Sequence, residues 1–275
     1  MMKFWHRYRK NRAAVFGFFV ISLFVLLAIA TPLISPFDPF KMVGQPFDPP
    51  SVSHPMGTDD LGRDICAGVL YGARTSLLVG FLAAATSTLI GILVGALAGY
   101  HGGYLDDLLM RITELFLVIP AFFLALVLVA LFGASVWNVI AVIGLLTWPA
   151  TARLARAEFL SLKEREFADA ARVLGASDMN LIFDEILPNA IPPIIVNGSL
   201  QVARAILVEA GLSFLGMGDA NLGSWGLMLN NAQRFIRQAW WMAFFPGCSM
   251  FLCVLSLNLM GDGLNDALNP KLRQR

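Results

Sequence analysis

The chain has 275 residues, of which 57% are hydrophobic and 14% are charged, and its mean hydropathy is +0.68. Soluble domains carry about 25% charged residues, so this composition excludes an ordinary soluble globular domain. The formal net charge is only +1, and no nucleic-acid partner is expected. The composition therefore predicts an integral membrane protein that contacts membrane lipid.

Six stretches of the sequence are apolar and long enough to be transmembrane helices. A helix needs about 20 residues to cross about 30 Å of hydrocarbon. Runs near this length fall at 13–33, 75–100, 115–132, 136–152, 191–212 and 243–261. The run 136–152 is near the lower length limit, and the run 191–212 contains Arg204 and Glu209. We predict an all-α polytopic membrane protein with six transmembrane helices.

The distribution of Lys and Arg predicts the orientation of these helices, because basic residues concentrate on the cytoplasmic side. With the N-terminus inside, the inner segments hold 14 of the 20 basic residues. The outer segments hold five, and Arg204 lies within a span. Both termini are therefore expected to be cytoplasmic.

The first apolar run has one alternative interpretation, a cleaved signal peptide. A basic start precedes it, and Ala28-Ile29-Ala30 resembles a small-residue cleavage site. The run is longer than the roughly 7 to 15 residues of a typical signal-peptide core, which favours a first transmembrane helix. N-terminal sequencing of the mature protein distinguishes the two.

The first outer loop, 35–74, is rich in Pro and Asp and is predicted to be ordered. Thr58 can cap a short helix in which Leu61, Ile65 and Val69 form an apolar stripe. We expect such a helix to lie on the membrane surface.

Small and aromatic residues predict two further contacts. Gly91, Gly95 and Gly99 recur every four residues, a pattern that lets two transmembrane helices approach closely, in the same subunit or between subunits. Trp240 and Trp241 suit the headgroup interface before the last span.

The three Cys and three His residues are scattered along the chain without metal-ligand spacing. We expect no disulfide framework, no metal site and no cofactor bound by this chain.

A charged segment at 166–188 is unlike the rest of the chain. Phe167, Ala170, Ala171 and Leu174 follow i, i+3, i+4, i+7 spacing, which predicts a short amphipathic helix. Gly175 stands where a C-terminal cap is needed. We call 166–188 the island and predict a helix, a tight turn and a second short helix that Ser177 caps and that continues to Pro188.

The island has two interpretations, a helix pair on the bilayer surface or a docking surface for a protein. Six acidic side chains would face the anionic inner leaflet, whose field favours basic segments. They are Glu164, Glu166, Asp169, Asp178, Asp184 and Glu185. The charge pattern therefore favours a protein partner.

A family resemblance is carried by these residues and by the first outer loop. Asp169-Ala170-Ala171, Gly175 and Leu187-Pro188 resemble the EAA motif of ABC importer permeases. The run His54-Pro-Met-Gly-Thr-Asp-Asp-Leu-Gly-Arg-Asp64 resembles the permease C subfamily of dipeptide, oligopeptide and nickel importers. Asp169 replaces the usual Glu, and Glu185 stands where the family has an apolar residue.

The resemblance implies a type I ABC importer fold and a permease without catalytic machinery. It implies an N-terminal unit over 1–72, a permease domain over 73–266 with a cytoplasmic coupling helix at about 159–189, and a tail over 267–275. Residues implied to dock the ATPase are Glu166, Phe167, Asp169, Ala170, Ala171, Leu174, Gly175, Leu187 and Pro188. The chain contains no Gly-Lys pair and therefore no Walker A loop for ATP.

The resemblance implies that the chain lies in the bacterial cytoplasmic (inner) membrane. Its implied partners are a second homologous permease in a heterodimer, two cytoplasmic ATP-binding subunits and an extracytoplasmic binding protein. Di- or oligopeptides would cross by alternating access, with chelated nickel or glutathione as alternative cargo. An ATP-independent secondary transporter or channel is a further alternative. Such carriers usually have internal repeats or several buried carboxylates, and the sequence shows no clear repeat and few such carboxylates.

Arg204 and Glu209 are the ionisable residues well inside a predicted span. Five residues at about 100° each place them about 140° apart around the helix, so we expect them not to pair. Both are candidates for the substrate pathway, and a partner in a neighbouring helix is the alternative for Arg204.

Overall fold

The computed structural model describes residues 2–35 and 37–268, with side chains from Trp5 onward. The tail predicted at 267–275 is described only to Leu268, and the predicted inner positions of Lys3, Lys271, Arg273 and Arg275 lie outside the described side chains. The helices are α1 (Met2–Tyr8), α2 (Arg12–Ile34), α3 (Ile65–His101), α4 (Gly103–Val118), α5 (Ala121–Phe132), α6 (Val136–Leu162), α7 (Glu166–Val173), α8 (Asp178–Asn180), α9 (Leu187–Leu212), α10 (Trp225–Ala232) and α11 (Trp241–Leu268).

The apolar helices confirm the all-α membrane fold. In the described residues, five helical stretches are long and apolar enough to cross a bilayer, namely α2, α3, α6, the continuous stretch Asp178–Met217, and α11. A sixth crossing is made by α4 and α5 if these two helices count as one bent span.

The span predicted at 115–132 is sharply bent. Its first residues belong to α4, and α4 and α5 meet at an angle of 83°. Ile119 between them has φ −81° and ψ 126°, the extended backbone that a following proline favours. Pro120 also removes a backbone donor, so the chain turns there.

The third helix is longer than the bilayer is thick. Its 37 residues correspond to about 56 Å, so α3 extends beyond the membrane at the end where the first outer loop packs. The surface helix predicted to start at Thr58 is wrong, because α3 begins only at Ile65, with Asp64 accepting the Ala67 N–H at 2.8 Å.

Thr58 is fully buried and holds the first outer loop together instead of capping a helix. Its hydroxyl donates to the Gln45 carbonyl at 2.6 Å and accepts the Asp48 N–H at 2.8 Å. The indole of Trp241 donates to the Thr58 carbonyl at 3.1 Å. Trp241 is therefore a buried anchor of this loop, whereas Trp240 is half exposed.

The glycine ridge Gly91, Gly95 and Gly99 packs directly against α6. An added Cβ on Gly91 would lie 2.5 Å from the Thr151 Cβ, and one on Gly99 would lie 2.7 Å from the Phe159 Cβ. The predicted close approach is confirmed, and its partner lies in the same chain.

Gly95→Ala is expected to destabilise the chain, because the new Cβ would meet the Ala152 carbonyl and lie 2.6 Å from the Ala155 Cβ. Overpacking of this kind costs about 1 to 3 kcal/mol, measurable by thermal unfolding in detergent. Gly198→Ala is the control, because its nearest contact would be Thr88 Oγ1 at 3.5 Å. Equal unfolding temperatures for the two variants would contradict the tight α3–α6 contact.

The two ends of the described chain meet on one side. The Tyr8 hydroxyl donates to the Ala14 carbonyl at 3.1 Å, and Ala267 packs in the same cluster. The Asn11 amide donates to Asp266 at 3.1 Å. This contact agrees with the predicted placement of both termini on one face, which we call the inner end.

Candidate functional site

The first half of the island folds as the sequence predicts. Helix α7 ends at Val173, and Gly175 adopts φ +82°, the left-handed conformation that glycine tolerates best. The Gly175 N–H donates to the Arg172 carbonyl at 3.0 Å, and the Ala176 N–H donates to the Ala171 carbonyl at 3.1 Å. These two bonds form a Schellman cap that reverses the chain.

The second half of the island does not end at Pro188 as predicted. The Ser177 hydroxyl caps α8 by accepting the Asn180 N–H at 3.3 Å, and the helix then continues through Pro188 into α9. Leu181–Ile186 form a wide π-helical turn, in which the Leu187 N–H donates to the Ile182 carbonyl five residues back. Pro188 cannot donate the backbone hydrogen bond of an ordinary α-helix, and the wider turn before it accommodates this proline.

The predicted docking residues divide between the chain's own core and solvent. Phe167 is partly buried in the cluster formed by Phe159, Leu162, Ile182 and Ile186, and Ala168 beside it is fully buried. Ala171 and Leu187 are also partly buried. The exposed members are Glu166, Asp169, Ala170, Leu174, Gly175 and Pro188.

Exposed apolar side chains surround the turn. Val173 and Leu174 are each 87% exposed, Met179 is 62% exposed and Phe183 is 49% exposed. We call these four residues the island tip. Sequence reasoning found Leu174 and missed the other three, because the i, i+3, i+4 pattern of α7 does not extend across the turn to Met179 and Phe183.

Polar bonds attach the island to the inner ends of the spans. The Tyr100 hydroxyl at the end of α3 donates to Asp178 Oδ1 at 2.6 Å. The Lys163 ammonium donates to the Gly99 carbonyl at 2.9 Å. The inner end of α3 is therefore bonded to the middle of the island, at Asp178, and to Lys163, just before the island begins.

A part-buried ion pair joins α4 to α6. The Arg156 guanidinium donates two hydrogen bonds to the Asp106 carboxylate, with Nη2 at 2.6 Å from Oδ2. Asp106 is buried, and the bidentate geometry is the strong form of this interaction. The bent pair of helices is thereby fixed to the helix that leads into the island.

Glu209 is buried at the outer end and faces the chain's own interior. Its carboxylate accepts the Ser213 hydroxyl at 2.6 Å and the Ser76 hydroxyl at 3.4 Å. The Ser224 hydroxyl also hydrogen-bonds it, and Ser76 accepts the Trp225 N–H at 3.4 Å. Glu209 therefore joins α3, α9 and the start of α10.

Arg204 is exposed, unlike its two polar neighbours toward the inner end. Asn197 donates to Thr151 Oγ1 at 2.9 Å and Gln201 donates to the Thr147 carbonyl at 3.1 Å, so both bond to α6. Among the residues described, Arg204 has neither a hydrogen bond nor an ion pair. The alternative of a structural partner for Arg204 receives no support from this chain.

An all-α, multi-pass protein with a two-helix island at its inner end has the architecture of a membrane permease, and the comparisons with known proteins assign the chain to that class. The family described as the binding-protein-dependent transport system inner membrane component matches residues 91–274. The N-terminal transmembrane domain of oligopeptide transport permease C matches residues 1–50. The chain belongs to this inner membrane component family and is a multi-pass inner membrane protein.

Relatives of nearly equal length support this assignment. The chain is 41% identical to the dipeptide transport system permease protein of Alkalihalophilus pseudofirmus, over 96% of this chain and 88% of that protein. It is 41% identical to the dipeptide transport system permease protein of Escherichia coli strain K12, over 100% of this chain and 94% of that protein. It is 37% identical to the di/tripeptide transport system permease protein of Pseudomonas aeruginosa, over 99% of this chain and 93% of that protein.

Proposed function

We propose that this chain is the permease subunit of an ATP-driven importer that passes di- or oligopeptides, delivered by an extracytoplasmic binding protein, across the inner membrane. The observation that carries the proposal is the island tip, an apolar surface that the chain leaves uncovered at its inner end. Relatives of nearly full length whose names specify dipeptide or di/tripeptide transport support the cargo.

The island tip is the proposed contact with a separate cytoplasmic ATPase. Four exposed apolar side chains next to a rigid turn form the kind of patch that marks a protein–protein contact. The exposed acidic side chains of Glu166 and Asp169 on α7 support a patch that faces water and not the anionic leaflet. Two such permeases would engage two ATP-binding subunits, and closure of these subunits would move the island.

A second permease is the proposed partner of the outer half of α9 and of α5. Arg204 and Leu207 are exposed on α9, Phe214 is exposed just after it, and Phe123 and Leu131 are exposed on α5. A second, homologous chain in a heterodimer would cover these faces and enclose a pathway. We also propose that the chain is divided into an N-terminal unit, 1–72, and a permease domain, 73–266.

Uptake of competing cargo tests the substrate. Cells that lack the gene and cells that carry it on a plasmid are compared for uptake of a labelled dipeptide, glutathione and chelated nickel. Plasmid-dependent uptake of the dipeptide alone is expected. Plasmid-dependent uptake of nickel or glutathione without the dipeptide would replace the proposed cargo.

Arg204→Gln is expected to lower dipeptide uptake at least about 5-fold with normal abundance in the membrane. An unpaired charge inside a span is energetically unfavourable, so its presence indicates a role in the substrate pathway. Arg237→Gln is the control, since Arg237 is exposed in an outer segment. Uptake and abundance are measured in the same cells. Full uptake by Arg204→Gln would remove Arg204 from the pathway.

A further inference from the structure

A cavity of about 330 Å³ lies at the outer end, away from the island. It is enclosed by the first outer loop, the start of α3, helix α10 and the start of α11. Small-molecule sites have volumes of about 300 to 1,000 Å³, so the space suits a ligand at the lower end of that range.

Three charged residues line the cavity, and one of them is already satisfied. Asp64 is buried, pairs with His54 Nδ1 at 2.8 Å and accepts the Ala67 N–H at 2.8 Å. Its carboxylate is therefore committed to the loop and to the start of α3, which leaves Asp59 and Arg63 as the groups available to a ligand.

Asp59 uses only one of its two oxygens within the chain. Its Oδ1 accepts the N–H groups of Leu61 at 2.9 Å and Arg63 at 2.8 Å. Its Oδ2 has no hydrogen-bond partner among the described residues. Burial raises the pKa of the Asp59 carboxyl by more than its two backbone hydrogen bonds and the nearby charge of Arg63 lower it.

Arg63 is held in place but is not paired. Its guanidinium lies 5.7 Å from the centre of the Phe40 ring, which orients the group. Its Nε is buried and has no hydrogen-bond partner among the described residues. In the same part of the chain no ion pair joins Arg63 to Asp59, although both line one cavity.

Apart from the uncharged amide of Asn231, the side chains of the rest of the wall are apolar and adaptable. Ile65, Leu227, Met228 and Met242 contribute to it. Methionine side chains are flexible and fit irregular apolar groups of different shapes. The cavity thus offers one free carboxylate, one free guanidinium and an apolar surface with little shape selection.

We propose that this cavity binds a short zwitterionic peptide, with the peptide ammonium at Asp59, the peptide carboxylate at Arg63 and a side chain against the methionine wall. A ligand with both charges satisfies two groups that do not satisfy each other. A cavity of about 330 Å³ suits a ligand of two or three residues and not a long peptide. The proposal rests on the proposed peptide cargo and adds a recognition site on the permease itself.

Titration calorimetry on the full chain in lipid nanodiscs tests this site with three probes. These are Ala-Phe, its N-acetylated form and its C-terminal amide. The unmodified dipeptide is expected to bind at least about 10-fold more tightly than either blocked form, because each block removes one charge-assisted hydrogen bond.

Charge-removing variants assign each end of the peptide. Asp59→Asn should bind Ala-Phe and its acetylated form equally, and Arg63→Gln should bind Ala-Phe and its amide equally. Asp60→Asn is the matched control, because the neighbouring Asp60 does not line the cavity, and it should bind as the unaltered chain does. Thermal unfolding checks that each variant is folded.

Equal binding of the three probes by the unaltered chain, or full discrimination by Asp59→Asn and Arg63→Gln, would overturn the site. Absence of dipeptide binding, together with weaker retention of the binding protein by Asp59→Asn and Arg63→Gln, would identify the cavity as a protein-docking surface. That result would also overturn the proposed peptide site. Cellular uptake of the dipeptide tests the proposed cargo independently of the proposed site. Uptake without binding in the cavity would contradict only the site, and absence of dipeptide uptake would contradict the cargo.

Discussion

Leu174→Asn is expected to release the ATPase subunit and abolish uptake while the permease remains folded in the membrane. Leu174 is 87% exposed in the isolated chain, so its apolar side chain contributes little to folding. In the proposed assembly it is covered, and burial of a leucine side chain is worth about 1.5 to 3 kcal/mol. An amide in its place adds the cost of an unpaired polar group, so affinity should fall by roughly 30-fold or more.

The measurement is copurification of the ATPase with the tagged permease from detergent-solubilised membranes. Val52→Asn is the matched control, because Val52 is fully exposed on the outer loop, at the opposite end of the molecule. It should retain the ATPase. If Leu174→Asn retains the ATPase as well as this control does and supports full uptake, the island tip is not the docking surface.

Glu209→Ala is expected to destabilise the outer end of the permease. The substitution leaves the hydroxyls of Ser76, Ser213 and Ser224 without their shared acceptor in a buried position. The lost hydrogen bonds and the orphaned donors should together cost about 2 to 3 kcal/mol. Because these serines belong to three segments, the loss should loosen α10 from α3.

Thermal unfolding in lipid nanodiscs measures this effect. Glu209→Gln should recover most of the stability, because its amide oxygen still accepts the Ser213 hydroxyl. Glu114→Ala is the control for loss of an acid, since Glu114 is exposed on α4. An unfolding temperature of Glu209→Ala equal to that of the control would show that the buried carboxylate does not hold the three segments together.

The spans could be predicted from composition, because burial in lipid requires long uncharged runs whatever the tertiary contacts are. The bend at Pro120 could not, since proline occurs both in continuous transmembrane helices and at breaks. Pro188 shows the opposite outcome, in which a wide turn keeps the helix continuous. Local sequence indicates a disturbed backbone at both positions, and packing decides the result.

Tertiary contacts also explain the wrong assignment at Thr58. A threonine before two aspartates is a good helix cap by local rules. Here its hydroxyl is used by Gln45 and Asp48, and Asp64 caps the helix in its place. Trp241 is similar, because its indole finds a carbonyl partner in the same loop, 183 residues away in sequence.

The island turn was predictable because Gly175 and Ser177 act through their nearest neighbours. The island tip was not, since the exposure of Val173 and Met179 depends on how α7 packs on Phe159 and Ile186. The groups around Glu209 were likewise hidden, because serines from distant segments converge on it. Sequence identified the polar residues that need explanation, and the structure assigned partners to Glu209 but none to Arg204 among the described residues.

ATP-dependent uptake by the reconstituted assembly tests the central claim most directly. Proteoliposomes contain this permease, its partner permease and the ATPase subunits, and receive binding protein and labelled dipeptide on the side opposite the ATPase. Uptake is expected only with hydrolysable ATP on the ATPase side, without any ion gradient, and it should be lost with Leu174→Asn. Uptake that an imposed ion gradient drives in the absence of ATP would contradict the account and make this chain part of a secondary transporter.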